Sequence, residues 1–138
     1  MRLATMTIAA AAASLAAGSA DAANLTVEFT GLRSAAGVVR VAVCPEATFT
    51  KPNCPHVAVV PAGRGAATVE GIPPGIYAVQ VFHDEDEDGE LDRRAFWPTE
   101  GLGFSRDAPM RMGPPRFRDA ALQINGNGTI RVKMRYFG

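Results

Sequence analysis

Along most of the chain, apolar and polar residues alternate with a period of two, the repeat of a strand that buries one face. Leu25, Val27 and Phe29 share one face of LTVEFTG with Thr26, Glu28 and Thr30 opposite, and Val39, Val41 and Val43 do the same in GVVRVAV. Near the C-terminus, TIRVKMRYF alternates Ile130, Val132, Met134 and Tyr136 with Arg131, Lys133 and Arg135. NGNG at residues 125–128 is a hairpin signal, because Gly and Asn accept positive φ at little cost, and it pairs this last segment with AALQI before it. HVAVV and AATVEG form two further strands about the turn PAGRG. After the turn at Pro73-Pro74-Gly75, IYAVQVFH is apolar on nearly both faces and belongs in the middle of a sheet.

About seven short strands joined by Gly/Pro turns, with helical periodicity hard to find, predict an all-β protein built as one antiparallel sandwich. Residues 93–117 break the pattern. They hold Trp97 and a run of prolines and glycines without periodicity, and read as a long irregular loop of the kind that is functional or packed on itself. Trp97, Phe96 and Phe104 are expected to plug this loop onto the sandwich; the alternative is an aromatic platform for a sugar or peptide.

The first residues stand apart from the fold. A basic start at Arg2, an Ala-rich apolar run and Ala20-Asp21-Ala22 match a secretory signal peptide over residues 1–22, leaving 23–138 as a single domain. The run is too short and weakly apolar for a membrane span, no second long apolar run follows, and no cysteine follows the cleavage site to carry a lipid. A periplasmic or secreted protein without a transmembrane segment in its mature chain is expected. In that setting Cys44 and Cys54 are expected to form a disulfide, a small ring that stabilises by about 3 kcal/mol. They lack the spacing of a thiol redox motif or a zinc ribbon. A formal net charge of zero with few aromatics makes nucleic acid an unpromising partner. The charges are nevertheless segregated: acids crowd into residues 84–92, while Arg106, Arg111, Arg116, Arg118, Arg131, Lys133 and Arg135 populate the C-terminal part, where they could steer an anionic partner or simply face water.

The acidic stretch HDEDEDGELDRR carries the candidate chemistry. Three carboxylates about 5 Å apart repel by roughly 0.8 kcal/mol per pair in water and about 3 at an effective dielectric near 20. A splayed, solvated turn tolerates this; a curled one needs a cation. The spacing matches the first nine positions of an EF-hand-type calcium loop: side-chain oxygens at 1, 3 and 5 (Asp84, Asp86, Asp88), Gly89 at 6, the Glu90 carbonyl at 7 and Asp92 at 9. Position 12, where a bidentate carboxylate belongs, is Ala95, and Glu100, returned by the irregular loop, is the candidate replacement. The loop follows a strand, so the expectation is a calcium-binding turn on a β scaffold. An all-oxygen ligand set excludes zinc and copper, and magnesium is the second choice because of its stricter geometry.

Other chemistry is thinner. His83 beside Asp84 invites a general-base reading, but Ser105 lacks a nucleophile elbow and Thr99 and Ser34 have no distinctive context, so His83 is expected to order the turn by hydrogen bonding. Paired carboxylates for glycoside hydrolysis could be drawn from Asp86, Asp88 or Glu100. Met110 and Met112 lack a nearby His or Cys for copper.

PPGIYAVQVFHDEDEDGELD, PTEGLGFS and GPPRFRDAAL, in that order and spacing, resemble the blocks of the bacterial exported family catalogued as domain of unknown function 2141. The resemblance covers nearly all of residues 23–138 and implies a periplasmic or secreted β-sandwich similar to transthyretin-like and surface-adhesin repeat domains, with no known activity. The sequence-based expectation is thus an exported calcium-binding β-sandwich module, non-enzymatic, with a structural or partner-binding role toward an envelope protein or glycan. The alternative is an envelope hydrolase acting on a carbohydrate or ester with calcium near its site.

Overall fold

The structure, a computed structural model, describes residues 22–89, 93–94, 97–98 and 100–137. In chain order its strands are β1 (Ala23–Thr30), β2 (Val38–Cys44), β3 (His56–Pro61), β4 (Ala66–Ile72), β5 (Gly75–Asp84), β6 (Arg93–Arg94), β7 (Trp97–Pro98), β8 (Gly101–Phe104), β9 (Ala121–Ile124) and β10 (Gly128–Lys133). One sheet has the order β10-β1-β4 and the other β3-β2-β5-β8, with β9 on β5 as well; β6 and β7 pair with each other. The two sheets pack face to face as an all-β sandwich.

The alternating residues close the core as the sequence predicts. Leu25, Val27 and Phe29 of β1 and Val39, Val41 and Val43 of β2 are buried in one cluster with Val79, Val81 and Val132. β5 is central: β2 lies along one edge, while β9 pairs with Gly75–Ala78 and β8 with Gln80–His83 along the other.

Two expectations are corrected. NGNG does not close a hairpin: β9 pairs with β5 in one sheet, and β10 runs parallel to β1 in the other. None of residues 125–128 takes a positive φ, so the tight turn that would fold β10 back on β9 is absent; Asn127 Oδ1 instead accepts the Asn24 amide at 2.8 Å and ties the crossing to the start of β1. The described residues of 93–117 are also not all irregular loop. They include β8, whose Gly101 and Gly103 read as breakers because they carry no side chain to alternate. A Cβ on Gly101 would come within 2.6 Å of the Tyr136 ring, and one on Gly103 within 2.5 Å of Val132. Both glycines are required by close packing.

The C-terminal segment joins the sheets. The Met134 amide still donates to Thr30 O at 2.8 Å, but Arg135 has moved over to Leu102 of β8, with reciprocal bonds of 2.8 and 2.9 Å. A smaller core sits at the other end of β5. There the Cys44–Cys54 disulfide closes the loop carrying Phe49, which meets the rings of Phe104 and Phe117 edge-on at 5.9 and 5.8 Å. The packing reading of Phe104 thus holds; Phe96, Thr99 and the side chain of Trp97 lie outside the described residues, as does the signal segment before Ala22.

Candidate metal centre

The site is assembled at the end of β5, where the pleat sends successive side chains to opposite faces. His83 follows Val79 and Val81 inward; Asp84 follows Phe82 outward, on the face that carries Arg40 of β2. Both are fully buried. The strand itself thus turns the His83 and Asp84 side chains to opposite faces. The His83 Nε2 lies 2.7 Å from Ala36 O and Nδ1 2.7 Å from the Tyr136 hydroxyl. A carbonyl only accepts, so Nε2 donates to it, and both ring nitrogens are engaged. Tyr136 in turn accepts the Arg33 amide at 3.2 Å, and burial pushes its phenol above the ordinary value. The serines are equally committed: Ser105 Oγ accepts the Val79 amide and donates to Ala120 O, and Ser34 Oγ donates to Glu85 at 3.0 Å.

Asp84 organises the turn that follows. Its Oδ2 accepts Arg40 Nε at 2.8 Å and the Gly89 amide at 2.9 Å, while Oδ1 accepts the Asp88 amide at 3.2 Å. The carboxylate at position 1 thus caps the amides of positions 5 and 6 and curls the loop, helped by positive φ at Glu87 (56°) and Gly89 (76°). Burial by itself pushes the Asp84 carboxyl up; hydrogen bonds from Arg40 and Gly89 outweigh it and hold the group below its ordinary value. Glu85 points away, held below its ordinary value by hydrogen bonds from Arg33 and then Ser34, with Arg33 stacked 4.6 Å above the Tyr136 ring.

Strand register brings in Glu100. β5 and β8 are antiparallel with His83 opposite Gly101, and one step further sets Glu100 beside Asp84. Glu100 is 3% exposed, and its Oε2 accepts the Glu85 amide at 2.7 Å. Asp84, Asp86, Asp88 and Glu100 each offer a carboxylate oxygen, and these four atoms all lie within 4.8 Å of one another. Two of the four side chains are buried and two exposed, so the cluster has a walled side and an open side. The donors are all hard oxygens, and the grouping could hold a metal ion. Glu90 and Asp92 lie outside the described residues.

Several participants are invisible to spacing. Arg40 occupies an ordinary polar position of β2. Gly37 takes φ 70°, and a Cβ there would stand 2.1 Å from Asp84 O, so only glycine lets the β2 approach pass under the turn. Beside the turn, a cleft of about 470 Å³ crosses the outer face of the sheet, with Arg40, Phe82, Gly89 and Leu102 in its wall.

No curated protein and no solved structure matches the chain, so the likeness to transthyretin-like and adhesin-repeat domains gains no support from one. A family model described as an uncharacterized protein conserved in bacteria, domain of unknown function 2141, matches residues 27–132, and the chain belongs to that family.

Proposed function

We propose that this protein is an exported, non-enzymatic β-sandwich module whose acidic turn takes one calcium ion as a structural element and presents the adjoining cleft to an envelope protein or glycan. The observation that carries the reading is the convergence of Asp84, Asp86, Asp88 and Glu100 on one small volume. Like charges brought so close repel, and a divalent cation among them turns that repulsion into attraction. Asp84 and Glu100 are positioned by backbone amides, and Asp86 and Asp88 approach from the open side. An oxygen-only set with an exposed side suits calcium in preference to the smaller, stricter magnesium ion, with affinity in the weak extracellular range of about 10⁻⁴ to 10⁻³ M. The disulfide fits an oxidising compartment. A non-enzymatic role is supported by His83, whose two ring nitrogens are both engaged.

Thermal unfolding with and without calcium tests the reading. At tenfold excess over Kd the ion should add about 1.4 kcal/mol of stability. Asp86→Ala or Asp88→Ala, at exposed positions, should abolish that increment and leave the calcium-free fold nearly unchanged. Equal stabilisation of parent and variant, or no calorimetric heat at millimolar calcium, would sink it.

A further inference from the structure

A second charged site lies on residues the acidic turn does not use. Arg106, Arg111, Arg116 and Arg118 line one concavity of about 550 Å³, with Asp119 as its acidic wall residue. That volume lies within the range of small-molecule sites. Among the described residues, the ion pairs are Arg33–Glu85, Arg40–Asp84 and Arg131–Glu28; none engages these four guanidinium groups. In a chain of zero net charge, four arginines around one hollow make a strongly positive spot.

The backbone holds Arg106 in place. Arg106 and Asp107 both take positive φ, 58° and 46°, an unfavourable choice for residues with a Cβ. The conformation is fixed from both sides: the buried Ser105 hydroxyl is tied to Val79 and Ala120, and the Asp107 carboxylate accepts the Lys133 amide at 3.0 Å. Arg106 then reaches across the hollow, where its Nη1 donates to Arg118 O at 3.2 Å. Pro109, Pro114 and Pro115 line the same wall and restrict its backbone.

We propose that this concavity binds a phosphate-bearing ligand. The guanidinium is a planar fork of donors that matches phosphate oxygens in pairs, and a phosphate offers more acceptors in one small volume than a lone carboxylate. The hollow is larger than a bare ion needs, so the phosphate is carried on an organic group. Two sources share this chemistry: a soluble phosphate ester and a lipid headgroup. Met112, next to Arg111, is 94% exposed at φ 57° and presents an apolar side chain where a bilayer surface would meet it.

The purified protein, without divalent metal, is titrated calorimetrically with inorganic pyrophosphate. It is also sedimented with phosphatidylcholine vesicles with and without phosphatidic acid. Binding to either phosphate probe, weakened about tenfold or more by Arg111→Gln with Arg116→Gln and by Arg106→Gly, supports the site. Glycine suits the backbone at 106, so that variant removes the guanidinium without straining the fold, and melting curves check all three changes. Vesicle binding that also falls in Met112→Ser assigns the ligand to a headgroup; pyrophosphate binding indifferent to Met112 assigns it to a soluble ester. Binding to neither probe, or equal affinity in folded variants and parent, overturns the proposal.

Discussion

The two ends of β5 are secured by different physics. At its start, the Cys44–Cys54 disulfide and the packed rings of Phe49, Phe104 and Phe117 close a small dry core. At its finish, His83, Asp84, Arg40 and Glu100 are held by hydrogen bonds and by the Arg40–Asp84 ion pair, between buried or partly buried groups. Covalent and apolar fastening is indifferent to ions and to mild acid. Charged fastening responds to both, which makes the second end the place where conditions outside the protein can be felt.

The sharpest way to break the contrast is at the apolar end. Phe49→Ala removes a ring that is 7% exposed and should cost about 4 kcal/mol in chemical denaturation, with the proposed calcium increment at the other end intact. Next in size is Gly37→Ala. Its Cβ has no room beneath Asp84 and its φ is unfavourable, so a loss of about 3 kcal/mol is expected, this time together with the calcium response. A Gly37→Ala protein that keeps its calcium response would mean the turn does not depend on that close approach.

The smallest effect is on acidity. Asp84 and Glu85 are held below their ordinary values, so the unfolded chain takes up their protons first as pH falls. Their contribution is full at neutral pH, above the unfolded values, and is lost as pH drops through the folded ones. Glu85→Gln should therefore narrow the stability gap between neutral pH and acid in denaturant titrations, whereas Phe49→Ala should shift both by the same amount.

Much of this architecture is legible in the sequence, for a physical reason with a clear limit. Alternation reports which face of a strand is buried, and so Leu25, Val27, Phe29, Val39, Val41 and Val43 are found where expected. It does not report the neighbour, so the pairing of β10 with β1 and of β9 with β5 escapes it. β8 is hidden because Gly101 and Gly103 leave space for Tyr136 and Val132 and have no periodicity of their own. At the site, the 84, 86, 88 spacing speaks through local geometry. Glu100 follows from the β5–β8 register, and Arg40 and Gly37 only from the folded chain.

The pleat at His83–Asp84 makes one peptide unit the partition between two environments. On the outer side a carboxylate accepts hydrogen bonds from a guanidinium and loop amides; on the inner side an imidazole is locked to a carbonyl and a phenol. One peptide unit thus links the acidic cluster to the hydroxyl of Tyr136.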